Sequence, residues 1–198
     1  MLILLSAVIG AAGLYPYIKS TINGTVRPQL VTWSIWTVLA GVLTISALLQ
    51  GQTASAALSA QAFIGCGLVV ALGWGRGHIR LTKLDFFCLT GAVIGVGTLV
   101  LLRDPTISLL VAVTVDAVAF IPTLRHAWIS PDEESFAAYA LGAASATLAL
   151  TVALMHHAGL NGMAYPVYSL VFNGATAIIL LVSRQSFGVA YSENNIEA

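Results

Sequence analysis

Seven stretches of about 20 apolar residues, separated by short polar breaks, make up almost the whole chain. They cover residues 2–18, 29–50, 54–75, 85–102, 106–128, 136–156 and 163–183. Each is long enough to cross the hydrocarbon core of a bilayer as a helix. The breaks carry turn and charge signals: Asn23-Gly24, Arg27 and Pro28 in the first, the basic stretch Arg76 to Lys83, Arg103-Asp104-Pro105, and Ser130-Pro131 followed by three acids. His156-His157 and Asn161-Gly162 mark the sixth, and Gly51-Gln52-Thr53 is the tightest. The pattern predicts an all-α integral membrane protein with seven transmembrane helices.

Composition agrees. Of 198 residues, 58% are hydrophobic and only 8% charged, and the mean hydropathy is +0.92. A soluble domain carries about 25% charged residues, so lipid must be the solvent for most of this surface. The first run lacks a basic leader and continues unbroken to Tyr15-Pro16-Tyr17, so it reads as a retained helix.

Charge fixes the expected orientation. The loops on one side, with the C-terminal tail, hold Lys19, Arg27, Arg76, Arg80, Lys83, Arg125 and Arg184, and the other side holds Arg103 alone. Positive residues stay in the cytoplasm, which predicts N-out and C-in. Trp33, Trp36, Trp74 and Trp128 fall near the same ends, where an indole finds both apolar and wet surroundings. The net charge is zero and no basic stripe exists, so no nucleic-acid partner is expected. Cys66 and Cys88 lie inside apolar runs and read as small buried residues.

An ungapped offset of 106 lays Tyr15-Pro16-Tyr17-Ile18-Lys19 over Ile121-Pro122-Thr123-Leu124-Arg125 and pairs Trp33 with Tyr139. Span boundaries then coincide and the fourth span is left over. This implies two parallel three-helix bundles, residues 1–75 and 106–185, joined by a linker helix within 76–105 and followed by a cytoplasmic tail, 186–198. The stretch from Tyr15 through Pro16, Lys19 and Pro28 to Thr32-Trp33, with this 3+1+3 layout, resembles the PQ-loop and SWEET superfamily and the similar nicotinamide-riboside uptake carriers. The family's Pro-Gln pair stands here as Pro16-Tyr17 and Pro122-Thr123, while Pro28-Gln29 lies later. The resemblance implies alternating access, with Pro16 and Pro122 as hinges. A static bend of the kind tolerated in many spanning helices is the alternative.

Candidate functional residues are few. Asp116, the only acid placed within a span, lies ~15 Å deep in the fifth helix. A carboxylate there costs roughly 2.5–3.5 kcal/mol on insertion scales, so it must face the interior, a partner or water. It is read as a coupling or solute-binding group, or as a protonated carboxyl bonded to a neighbouring helix. Tyr165, Tyr168, Ser169, Asn173 and Thr176 form one polar stripe on the seventh helix. Such a stripe lines a cavity or supplies bonds between helices. The SWEET resemblance implies a substrate contact at Asn173, whose first-repeat counterpart is Gly67. Gln61 on the third span, and Trp33, Trp36 and Tyr139 near the cytoplasmic face, complete the set, with interfacial anchoring as the other reading of the aromatic residues.

His156-His157 supplies only two adjacent ligands, so no metal is expected. No phosphate loop, HExxH or nucleophile elbow occurs, and neither an enzyme nor a cofactor is expected. The small-residue pattern Gly91-x-x-x-Gly95 is read as packing within the monomer, and a homo-oligomer is compatible. The resulting expectation is a transporter of a small polar solute, sugar- or vitamin-like, proton-linked through Asp116, in a bacterial inner membrane. The alternative is a non-transporting ligand receptor or chaperone on the same scaffold.

Overall fold

All seven apolar runs fold as helices. The computed structural model describes residues 1–24, 28–79 and 81–194. The helices are α1 (Leu2–Ile22), α2 (Leu30–Leu49), α3 (Thr53–Gly73), α4 (Lys83–Val100), α5 (Pro105–Ile129), α6 (Phe136–Met155) and α7 (Leu160–Asn194), with a 3-10 turn, η1, at Pro131–Glu133. Each is long and apolar enough to cross a membrane, which makes this a multi-pass membrane fold. Outward faces carry large aliphatic side chains such as Leu4, Val8, Leu48, Ile64, Val93 and Ile178, as a lipid solvent requires.

Two boundaries differ from expectation. α1 continues through Pro16 to Ile22, because an interior proline removes one hydrogen bond without ending a helix that is otherwise favourable. α7 continues to Asn194 instead of ending at 183, so most of the expected tail is helical. No proline stands between Arg184 and Asn194, and the single Gly188 costs a helix only about 1 kcal/mol. Arg27 and Arg80, counted for orientation, and residues 195–198 lie outside the described residues.

Helix starts follow local chemistry. Asp104 caps α5, its carboxylate accepting from the Thr106 and Ile107 N–H groups at 3.0 Å each, with Pro105 at the first helical position. Ser135 accepts from Ala138 N–H at the start of α6. Thr82 and Asp85 form a reciprocal capping box at α4.

Consecutive helices alternate in direction. The ends of α1, α3, α5 and α7 share one face, called the basic face here. There His78 N–H donates to Pro28 O and Leu30 N–H to His78 O, both at 2.9 Å, tying two loops together. At the same face Arg184 donates to the Pro131 and Glu134 carbonyls.

Within the first three helices α3 lies between α1 and α2, and within the last three α7 lies between α5 and α6. α1 packs on α6, α2 on α5, and α3 on both α6 and α7, while α4 covers α2 and α5. Gly91 and Gly95 of α4 face Val115 and Val42, so this small-residue pair serves packing inside the chain. The core centres on Leu39, Leu43, Leu109, Ala112, Ala146 and Ala149, all buried.

Candidate functional site

The inner face of α5 places Asp116. Ala112, Val115 and Ala119 on that face are buried, whereas Thr114 and Ile121 point outward. Asp116 belongs to the inner arc and is half-buried. The stripe on α7 is likewise turned inward: Tyr165, Tyr168, Ser169 and Thr176 are buried, while Val167, Val171 and Ile178 are exposed. The two faces meet around Asp116, whose carboxyl lies near the Tyr168 side chain. The Cys66 thiol on α3, the Cys88 thiol on α4 and Tyr165 lie within range of the carboxyl's charge.

An aromatic ladder leads from this pair to the basic face. Ring centroids lie 5.9 Å apart for Tyr165–Tyr168, 4.9 Å for Tyr168–Phe172, 5.4 Å for Phe172–Phe120 and 6.3 Å for Phe120–Tyr139. Tyr139 ends it by donating to Glu134 Oε2 at 2.8 Å. Across the bundle, Trp33 packs on Tyr17 at 4.8 Å and donates its indole N–H to the Tyr17 hydroxyl at 3.2 Å, with Trp36 edge-on to it at 5.3 Å. The Trp36 N–H is buried without a partner. Trp33 and Trp36 thus face inward, while Trp74 and Trp128 are exposed at the basic face as interfacial anchors are.

Asn173 and Gln61 are not brought to Asp116. Five residues separate Tyr168 from Asn173, a turn of about 140° around α7. Asn173 faces α6, where a Cβ on Gly142 would stand 2.6 Å from its Oδ1. Its Nδ2 donates to the Ser169 carbonyl at 2.8 Å. Gln61 lies against Gly10 of α1, beside Ser145 of α6. Ser6 and Ser145 complete this seam: Ser6 Oγ donates to Ser145 O at 2.8 Å, and Ser145 Oγ to Ser6 O at 2.7 Å. The candidate residues are therefore not gathered at one place: Tyr165 and Tyr168 lie near Asp116, Gln61 lies at the α1–α6 seam, Asn173 lies between α6 and α7, and Trp33 and Trp36 lie near Tyr17.

Pro16 and Pro122 stand inside unbroken helices with exposed side chains. A third interior proline, Pro166, is buried in α7 one residue from Tyr165. It lies inside the seventh apolar run, where the sequence gave no separate signal for it.

Two polar features escaped the sequence reading. Asp85, expected at the edge of the fourth span, is buried within α4. It accepts from Thr82 N–H at 2.9 Å, Thr82 Oγ at 2.7 Å and Thr32 Oγ of α2 at 3.0 Å. The Thr-x-x-Asp spacing ahead of an apolar run was its signal. At the opposite face, Gln50 Oε1 accepts from Asn161 Nδ2 at 2.7 Å and Thr106 Oγ at 3.3 Å, joining α2, α7 and α5.

Among the described residues no group of three or more His, Cys, Asp or Glu is placed to hold a metal ion. Compared with known proteins, the chain matches no family model, no curated protein and no solved structure.

Proposed function

We propose that this chain is a secondary transporter of a small polar solute, of the PQ-loop and SWEET-like kind. It works as two parallel three-helix bundles with α4 as linker, N-terminus outside and C-terminus in the cytoplasm of a bacterial cell. The internal repeat has support in the helix bounds: adding 106 to Leu30–Leu49 gives Phe136–Met155, the bounds of α6. The neighbour order α1–α3–α2 matches α5–α7–α6, and the contacts of α1 with α6 and α2 with α5 are those a two-fold relation produces.

The observation that carries the reading is the Asp116–Tyr168 pair. It lies mid-helix between α5 and α7, and every Lys and Arg stands at or near the end of an apolar run or in a break between runs. An intramembrane carboxyl of this kind marks a proton or solute pathway. Rocking of one bundle against the other about the α1–α6 and α2–α5 seams exposes the pair to each side in turn. Asp116 carries the coupling proton, Tyr168 orients it, and the ladder from Phe172 to Tyr139 offers ring faces to the solute.

Counterflow in proteoliposomes tests this, using solutes first selected by thermal shift. Asp116→Asn is expected to remain folded and to lose the pH dependence of uptake. Uptake by the variant with an unaltered pH profile rejects the coupling role, and a chain that exchanges no solute supports a receptor instead.

A further inference from the structure

The two interbundle seams are built differently. The α1–α6 seam is closed between Ser6 and Gly13 by the Ser6–Ser145 bonds and by Gly13, where an added Cβ would meet the Ala138 carbonyl at 3.0 Å. The α2–α5 seam is bonded at the opposite face, where Gln50 Nε2 donates to Pro105 O at 3.2 Å. Toward the basic face it opens into a groove of about 410 Å³, with α4 as the third wall. At about 30 Å³ per molecule in the liquid, that is room for on the order of ten waters.

The lining is mostly apolar, with Ile35, Trp36 and Leu84 in its walls; Thr32, Thr82, Asp85 and Thr123 stand toward the basic face, and Cys88 and Ala119 lie deeper. Ala119 lies three residues beyond Asp116 on α5, on the groove side, about 4.5 Å along the axis and on the same inner face. The three donors on Asp85 all address its carboxylate oxygens where the groove begins.

We propose that this groove is the route by which protons from the basic face reach Asp116, with the leftover helix α4 as its wall and Asp85 at its mouth. It rests on the reading of Asp116 as the coupling carboxyl. A proton passes along water in the groove to an Asp116 oxygen. The O–H bond formed there replaces one broken in the adjacent water, which is reprotonated from bulk, and release reverses the step. The titratable groups near Asp116 are Cys66 from α3, Cys88 from α4, and Tyr165 and Tyr168 from α7, with Asp85 of α4 beyond Cys88. α2 contributes none. Lys83, Arg125, His126, Asp132 and Arg184 stand out at the basic face.

Single cysteines in a Cys66→Ala, Cys88→Ala background test the route in oriented vesicles, with small impermeant thiosulfonates of either charge. The basic face is the side on which Arg125→Cys reacts and Arg103→Cys does not. Ala119→Cys is expected to label from that side, several-fold faster with the cationic reagent. Asp85→Asn removes the charge preference, and Thr114→Cys, which faces outward, stays unlabelled. In the native-cysteine protein, Leu84→Trp fills the groove and slows hydrogen–deuterium exchange of the Asp116 carboxyl at least several-fold, read by infrared difference against Asp116→Asn. A folded Ala119→Cys protein that does not label from the basic face overturns the route. So does unchanged exchange in Leu84→Trp when the same change blocks labelling at position 119. Neither readout uses a solute, so the route and the transport reading can fail separately.

Discussion

Gly51 and His157, 106 positions apart, hold the same left-handed place in two equivalent turns, with φ of +70° and +52°. The backbone bonds around them match as well. Gly51 N–H donates to Leu48 O at 3.0 Å and Gln52 N–H to Ala47 O at 2.8 Å; His157 N–H donates to Leu154 O at 3.0 Å and Ala158 N–H to Ala153 O at 2.8 Å. Both are Schellman closures, which glycine fills without strain. A side chain in this conformation costs roughly 1–2 kcal/mol, part of which glycine returns through its freer unfolded chain. His157→Gly is therefore expected to raise stability by about 0.5–1 kcal/mol, and Gly51→Ala to lower it by about 1 kcal/mol. Heating in detergent with a thiol-reactive dye, which reports exposure of the buried Cys66 and Cys88, measures both. A lower midpoint for His157→Gly means that the imidazole itself supports the turn.

The α1–α6 seam gives a coupling prediction. A Cβ on Gly10 would collide with the Gln61 carboxamide and stand 2.9 Å from Ser145 Oγ. Gly10→Ala thus requires Gln61 to move, at a cost of about 1–3 kcal/mol for overpacking. In a Gln61→Ala background most of that cost should vanish, leaving an interaction energy of at least about 0.5 kcal/mol in a double-mutant cycle read by the same dye assay. Additive effects would place the strain on the helix backbones instead.

Much of the fold was legible because lipid makes the rule simple. A run of about 20 apolar residues has few options other than a spanning helix, and α2, α3 and α6 fall within three residues of the expected bounds. The site was less legible. Depth along a helix can be counted from sequence, and it placed Asp116 and Asn173 at similar levels. Azimuth depends on which neighbour each face meets, and there Tyr168 turns to α5 while Asn173 turns to α6. Asp85 went unread for a related reason: a carboxylate at a helix start suggests a solvated cap, and only the packing of α4 on α2 brings Thr32 Oγ to it.

The bonds at the opposite face make the last prediction. Gln50 reaches two helices at once: its Nε2 donates to Ser46 O at 3.0 Å and Pro105 O at 3.2 Å, and its Oε1 accepts from Asn161 and Thr106. Asn161 Nδ2 also donates to Thr106 Oγ at 3.1 Å, so the three side chains form one network. Interhelical bonds in membranes average about 0.6 kcal/mol each, and Gln50→Ala removes three of them, roughly 2 kcal/mol in sum. If opening of this face separates α2 from α5 and α7, that change multiplies the open population about 20–30-fold, since 1.4 kcal/mol is tenfold. A cysteine at Ser108, fully buried on α5, should then react with an impermeant thiol reagent from this face about 20-fold faster in Gln50→Ala. Adding Asn161→Ala should accelerate it little further, because the network is already broken. If instead Gln50→Ala lowers the thermal midpoint and leaves labelling at position 108 unchanged, the network stabilises the fold without holding this face shut.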